Sequence, residues 1–383
     1  MSASLRIALL VNPFSHTLKG DQHAPEMARE LLGRGHTVRG FGAPPGTIPR
    51  SGDEPTEGGG VSAEESSSLP GFRPDVIVAY DALSPAAWLG ARRARKLGCA
   101  LVLVEEGMPE GGGNIERGLR WIGERLWGGF VRRTASFVVA LDPVAHAQVL
   151  SEGFAESDIR DLPAGVHLST FRPGLASQIP SRHGIHGRIL LHTGRIEEGR
   201  GIEDLIRAFA ETVGQRQDWS LVLAGDGPGK RALRALVNRL GVGSRVHWLS
   251  KPRAEELPGL LGACTLFADP RAGDDVSTLT IRRALACGLP VLASDGPRVR
   301  SLLEDDGCGL LAGPEGGRNW TETLRLAASA PERRRRWRIR AREIAESRFA
   351  WPVIGEAFES FLHEAHNNAN AERESAAQPL QEG

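Results

Sequence analysis

GRIEEGRG, residues 194–201, follows the apolar run Ile189–Leu191 and precedes the amphipathic run IEDLIRAF at 202–209. Apolar run, glycine-bearing turn and 3.6-periodic segment predict a strand, a tight turn and the start of a helix. Arg195 and Arg200 flank that turn. Guanidinium groups beside the free N–H groups of a helix start suit a diphosphate. A second turn of the same kind, LAGDGPG at 223–229, follows the apolar run Leu221–Ala224.

The same alternation of strands and helices extends through the chain. In the first half, strands are predicted at Leu5–Val11, Asp75–Tyr80, Ala100–Val104 and Ser136–Leu141, with helices at Gln22–Arg34 and Pro85–Leu97. In the second half, strands are predicted at Arg188–His192, Ser220–Ala224, Arg245–Leu249, Thr265–Ala268 and Pro290–Ala293. Continuous apolar strands separated by helices imply parallel sheets covered on both faces, an α/β class with two doubly wound Rossmann-like domains. A length of 383 residues suits two such domains.

The boundary is expected in Phe171–Gly187, which carries Pro173, Pro180 and Gly184. This gives an N-terminal domain over 1–172 and a C-terminal domain over 185–347. Residues 43–72, rich in Pro, Gly, Ser and Glu, read as a mobile surface loop. A long basic helix is expected at Pro331–Arg348, a last helix over 348–366, and a polar, disordered tail over 367–383.

Composition narrows the function classes. Lys+Arg and Asp+Glu both number 47, so bulk charge offers no attraction to nucleic acid. No apolar run approaches the roughly 20 residues that span a bilayer, and MSASLRIALLV reads as a first strand, so a cytoplasmic protein is expected. The four cysteines (Cys99, Cys264, Cys287, Cys308) lack metal-ligand spacing and read as buried free thiols of a reducing compartment. The acidic pairs Asp274-Asp275 and Asp305-Asp306 lack the ligand set of a hard cation, so no metal site is expected.

Arg195–Gly201, Gly225–Pro228 and Asp275–Gly288 together resemble the retaining glycosyltransferases of the GT-B class, the group 1 family (family four of the glycosyltransferases). That family has a GR-x4-KG turn, a GDG(P) turn and a Glu-x7-Glu segment before an A-x-A-C-G helix. The resemblance covers about residues 160 to 351 and is looser before them. It implies two domains facing across a cleft, with a nucleotide diphosphate sugar as donor substrate and no cofactor. Arg195, Arg200, Asp275 and Glu106 would be the catalytic set. Gly194, Gly225, Gly227, Ser277, Thr278, Leu279 and Arg283 would bind the donor, with the base near Trp248–Lys251. Gly20 and Asp21 would form the acceptor loop. The acceptor would be lipid-linked or a saccharide, in cell-envelope, polysaccharide or glycolipid synthesis.

Departures from the pattern stand beside it. Arg283 replaces the second Glu, which in the family accepts hydrogen bonds from the ribose diol. Glu106-Gly107 stands where a His-Gly pair is expected, and a carboxylate accepts a hydroxyl but cannot donate as imidazole does. Asp274 and Asp275 also suit helix N-capping. His16 and His23 are alternatives to Glu106 in the acceptor region, although an isolated loop histidine is usually just solvated. The run Ile115–Arg133 has an apolar face of Leu119, Ile122, Leu126, Trp127 and Phe130 and a basic face. It reads either as a core-facing helix or as a peripheral membrane contact at the inner face of the plasma membrane. A catalytically silent GT-B protein with a binding or scaffold role, and a sugar-nucleotide epimerase on the same fold, remain open alternatives.

Overall fold

A computed structural model describes residues 3–11, 23–41, 69–107, 114–215, 218–271, 278–303, 307–313 and 319–377. Of the segment 43–72, all up to residue 68 lies outside the described residues, as do Asp305 and Asp306. The chain divides into two compact units: residues 1–165 with 351–383, and residues 166–350.

The first unit is a six-stranded parallel sheet in the order β2-β1-β3-β4-β5-β6. Its strands are β1 (Arg6–Leu10), β2 (Thr37–Phe41), β3 (Val76–Tyr80), β4 (Ala100–Glu105), β5 (Phe137–Ala140) and β6 (Ile159–Asp161). Side chains alternate between faces with period two. Ile7, Leu9, Val76 and Val78 join a core with the helices His23–Gly33 and Trp351–Ala377. Ala8, Leu10, Ile77 and Ala79 join another under the helix Pro85–Leu97. Both faces are covered, which explains the unbroken apolar runs. Ser84 caps Pro85–Leu97, accepting from the Ala87 N–H, and Gly98 ends it in the left-handed conformation at φ 65°.

The second unit repeats the plan in the order β12-β11-β10-β7-β8-β9. Its strands are β7 (Arg188–Thr193), β8 (Trp219–Ala224), β9 (Val246–Leu249), β10 (Leu266–Asp269), β11 (Val291–Ser294) and β12 (Gly309–Ala312). All pair in parallel, with Leu190 opposite Leu221 on one side and Leu266 on the other. The helix Ile202–Thr212 buries Ile202, Leu205, Ile206 and Phe209, the i, i+3, i+4, i+7 stripe its sequence carries. Each sheet has one point where the strand order reverses: between β1 and β3, and between β7 and β10. Ligands of such sheets bind at the strand C-termini there.

Three structural differences from the sequence expectations have physical causes. The strands β2, β6 and β12 are absent from the apolar pattern, and each is a sheet edge that includes at least one residue not fully buried. The helix written as 348–366 begins at Trp351 and runs to Ala377, so residues 367–377 are helical rather than a disordered tail. Arg373 there donates to the carbonyl of Gly98 at 3.1 Å.

The third difference is in Ile115–Arg133, which splits into Asn114–Gly123, a wide π turn Glu124–Gly128 and Gly129–Thr134. The extra residue in a π turn rotates the helical turns after it. Trp127 and Phe130 pack against the core, whereas Ile122 and Leu126 face solvent beside Trp121. The side chain of Leu119 lies outside the described ones. Part of the basic face is tied down: Arg120 binds Glu105 at 3.0 Å and also Glu152, and Arg132 binds Glu124 at 2.6 Å.

The last helix is clamped to the first unit through Glu359. Arg34 donates to its Oε2 at 3.0 Å, and Nε2 of the buried His36 lies 3.2 Å from Oε1. His363 Nε2 stands 4.0 Å from the same oxygen, so two imidazoles and a carboxylate cluster. The Leu5 N–H donates to His36 Nδ1 at 3.0 Å, which places the ring proton on Nε2. An Nε2–H offers a metal no lone pair, and the cluster is a clamp of close polar contacts around Glu359. All four cysteines are free. Burial pushes the Cys99 thiol up to about 11 and Cys287 up to about 12, which keeps both as unreactive thiols.

Burial holds the His36 pKa below its ordinary 6.5, against the opposing pull of Glu359. The unfolded chain therefore binds the proton more readily, and stability is complete above about 6.5 and falls as pH drops below it. Protonation would also set an Nδ1–H against the Leu5 N–H. Replacing His36→Gln should flatten the decline of the unfolding midpoint between about pH 6.5 and 5, followed by circular dichroism; an unchanged slope would contradict the clamp.

Candidate functional site

Gly194 ends β7 with φ +149°, and Gly199 and Gly201 follow at +73° and +79°. Such backbone favours glycine, which explains why this turn is built from it. Close approach imposes a second demand. A Cβ on Gly225 would lie 1.8 Å from the Gly194 carbonyl oxygen, and one on Gly227 would lie 2.1 Å from that of Ile196. Gly229 meets the backbone of Glu197 and Glu198 in the same way, at 2.8 and 2.6 Å. The two glycine turns are thus laid backbone against backbone. They are pinned by Gly194 N–H to Ala224 O (3.1 Å), Ile196 N–H to Asp226 O (3.0 Å) and Gly229 N–H to Ile196 O (3.1 Å). On another side, a Cβ on Gly201 would stand 2.1 Å from the Pro270 carbonyl.

The arginines of this turn are exposed and share one partner. Arg195 pairs with Glu197 Oε1, and Arg200 Nε lies 3.1 Å from Glu197 Oε2. Their side chains are 72% and 42% exposed, Glu197 only 21%. Exposed pairs of this kind contribute about 0–1 kcal/mol, so a multiply charged anion can displace the carboxylate at small cost. The helix start is also partly answered from within: the Gly199 N–H donates to Glu203 Oε1 at 2.9 Å. Lys230 reaches Asp226 at 2.8 Å, beside the second turn.

A further cation sits at the exit of β10 and was not singled out from the sequence. Arg271 donates from Nε and Nη2 to the two oxygens of Asp269 at 2.8 and 2.6 Å. Asp269 is fully buried and Arg271 nearly so. Burial opposes the charge of this guanidinium, but the bonds to Asp269 and its negative charge raise the pKa overall. Arg271 is therefore a rigid, permanently charged group at the strand reversal, next to Gly194. The signal in the sequence was an acid at the last position of an apolar strand, Asp269, two residues before a base.

The other expected donor residues divide among several surroundings. Asp275 and Ser277, with Asp274 and Val276, lie outside the described residues. Thr278 opens the helix Thr278–Ala286 and is buried, its hydroxyl accepting from Arg282 at 2.6 Å. Leu279 packs its side chain in the core. Arg283 is half-buried, with its guanidinium 5.1 Å over the Phe171 ring. Trp248 lies under Arg234, 5.3 Å from the ring centre, and Lys251 is exposed.

In the first unit, Glu106 follows β4 and is half-buried, with Gly107 at φ +73° behind it. Gly20 and Asp21 lie outside the described residues, as does His16. His23 is not a solvated loop histidine: it opens a helix, is fully buried, and its Nδ1 lies 3.0 Å from the Tyr80 hydroxyl. Burial and then the charge of Glu106 push the Tyr80 pKa well above 10. Asp81, next in the chain, holds φ +62°, a strained value for a non-glycine residue. His23, Tyr80 and Asp81 are gathered at the reversal between β1 and β3, where sequence spacing could not place them.

Comparisons with known proteins agree with this architecture. Residues 179–344 match the family model described as glycosyl transferases, group 1. An alpha-D-kanosaminyltransferase of Streptomyces kanamyceticus is 25% identical over 189 residues, 49% of this chain and 49% of that protein. A D-inositol 3-phosphate glycosyltransferase of Saccharomonospora viridis is 26% identical over 321 residues, 80% of this chain and 73% of that protein. The chain thus spans about half of one relative and most of the other. Among solved structures, Anabaena HepE in complex with UDP has a TM-score of 0.71 at 18% identity, covering 94% of this chain and all of that one. WaaG, a lipopolysaccharide glycosyltransferase, has 0.59 at 19%, covering 92% and 98%. These likenesses establish the GT-B fold of two Rossmann-like units.

The interlocked turns make a direct prediction. Gly227→Ala forces the two backbones apart, and overpacking of this kind costs about 1–3 kcal/mol. The unfolding midpoint should fall by roughly 2–12 °C. Gly243→Ala, whose new Cβ meets only Asn238 Oδ1 at 3.5 Å, should stay within about 0.5 kcal/mol. Equal midpoints for the two variants in calorimetry would remove the packing argument.

Proposed function

With residues 179–344 placed among the group 1 glycosyl transferases, we propose that the protein moves a sugar from a nucleotide diphosphate sugar to an acceptor hydroxyl with retention. A hexosyl donor and an acceptor in cell-envelope, polysaccharide or glycolipid synthesis fit this reading. The observation that carries it is the interlocking of the glycine turns after β7 and β8, with Arg195 and Arg200 on the first of them and Arg271 at the neighbouring exit of β10. HepE, on the same fold, is crystallised with UDP and with UDP-glucose.

Departure of a nucleoside diphosphate leaves negative charge on its terminal phosphate. Arg195 and Arg200 would exchange Glu197 for that phosphate and stabilise the charge as it develops, an electrostatic and positional form of catalysis. Asp275 would face the transferred sugar, with Ser277 and Thr278 offering N–H groups at the start of their helix. Glu106 would accept a hydroxyl hydrogen in the first unit. No metal or cofactor is needed for these roles. Arg283 would meet the donor as a cation in place of the family's carboxylate, which alters donor preference. A panel of UDP-, GDP-, ADP- and dTDP-sugars tested by thermal shift should yield at least one stabilising donor at millimolar concentration. Arg195→Ala and Arg200→Ala should each weaken that donor about 10- to 100-fold, the scale of a lost charged hydrogen bond. Full affinity in both variants would overturn the assignment of the pair, and conversion of the sugar without an acceptor would favour an epimerase.

Among the described residues no helix is long and apolar enough to cross a membrane. The exposed Trp121, Ile122 and Leu126, at 66%, 41% and 71%, support a peripheral contact with a lipid surface instead, flanked by the exposed Arg125. Wild-type protein should sediment with anionic phosphatidylglycerol vesicles, and a Trp121→Ser, Leu126→Ser double variant should not. Equal recovery of both in the supernatant would count against this contact.

A further inference from the structure

His192 and Arg271 stand together at the exits of β7 and β10, and the roles proposed above leave His192 unused. His192 is fully buried, and its Nδ1 lies 2.9 Å from the Ala268 carbonyl oxygen. A carbonyl only accepts, so Nδ1 carries the ring proton and Nε2 holds a lone pair. That nitrogen is shut off from water and has no hydrogen-bond partner among the described residues. Buried acceptors are rarely left this way without a reason. Burial also lowers the His192 pKa, opposed by Asp269, so the ring stays neutral and the lone pair available.

Residue 194, a glycine, adds no side chain beside this nitrogen. A Cβ there would stand 3.7 Å from Nε2 and 3.8 Å from Cε1 of His192, and 3.9 Å from Arg271 Cζ. The bare Cα of Gly194 is therefore flanked by a neutral acceptor and a guanidinium. Asp269 takes up Nε and Nη2 of Arg271, and Nη1 is left to donate elsewhere. An acceptor beside a fixed cation suits a hydroxyl placed next to a phosphate.

We propose that His192 Nε2 accepts a hydroxyl hydrogen of the donor's sugar while Arg271 Nη1 donates to the adjoining phosphate oxygen, so that this pair reads the sugar side of the donor. The inference rests on the donor reading above. The sequence resemblance puts the base near Trp248–Lys251, at the end of β9 and two strands away from β7, which leaves the group over β7 and β10 on the sugar side. His192 is then a specificity-determining residue and Gly194 is required to be bare.

The test measures sugar nucleotide against parent nucleotide by calorimetric titration: UDP-glucose and UDP, GDP-mannose and GDP, ADP-glucose and ADP. His192→Phe fills the ring volume without an acceptor, and His192→Gln restores one. In the Phe variant the sugar nucleotide should weaken about 5- to 10-fold, the scale of a neutral hydrogen bond, with the parent nucleotide changed less than about 2-fold. The Gln variant should recover part of the loss. An independent reading needs no variant: the His192 Nε2 resonance of 15N-histidine-labelled wild type should move on addition of the sugar nucleotide and not of the parent. Equal weakening of both nucleotides, or a stationary Nε2 resonance with the sugar nucleotide bound, overturns this inference and leaves the donor reading standing. Failure of all three pairs to bind wild type overturns both.

Discussion

Absence of side chains at Gly225, Gly227 and Gly229 is the constraint on which the second unit's candidate site depends. Only bare backbone can approach carbonyl oxygens at the separations found against Gly194 and Ile196. The consequence is structural before it is chemical. The loop after β8 becomes a wall for the loop after β7, and Gly201 brings that loop against Pro270 after β10. Three consecutive strand exits in the sheet are thereby joined into one surface, which carries Arg195, Arg200 and Arg271.

The cations of that surface are held by different physics. Arg195 and Arg200 are solvated and share Glu197, an arrangement that is weak and readily exchanged. Arg271 is mostly buried against the fully buried Asp269, and removal of Arg271 would strand the Asp269 charge, at a cost of about 3–5 kcal/mol. One part of the array is thus adaptable and the other fixed. Ser294 reinforces the fixed part by donating to the Pro270 carbonyl at 2.7 Å, and Trp320 Nε1 in turn donates to Ser294 Oγ at 3.2 Å. Rigid support behind a binding group is what lets its charge act without reorganisation.

The first unit solves its own version of the same problem with a buried polar group in place of a glycine interlock. Tyr80 projects from the end of β3 into the core shared with the last helix, where its hydroxyl meets His23 and the His23 ring lies 5.6 Å from that of Trp351. Residues from opposite ends of the chain are made neighbours by the return of the helix Trp351–Ala377. Glu105 is tied into the fold by Arg120 and by the Ala82 N–H at 3.0 Å, whereas the charge of Glu106 acts on Tyr80. Adjacent carboxylates thus serve a structural bond and a candidate site.

Local chemistry decided much of this protein. Apolar runs determined nine of the twelve strands, because a strand buried on both faces must be apolar throughout. The missing three, β2, β6 and β12, are edges with less to bury. The glycine turns, Arg195 and Arg200 were legible for the same reason: backbone geometry and charge are written in residue type. Tertiary structure alone decided which charges are free to act. Glu197 folds onto both turn arginines, Leu279 turns into the core, and Arg283 settles over Phe171. His192 and Arg271 acquire their places from the parallel pairing of β7 with β10, strands 76 residues apart. A side chain's burial and partners depend on neighbours distant in sequence, and no local pattern encodes them.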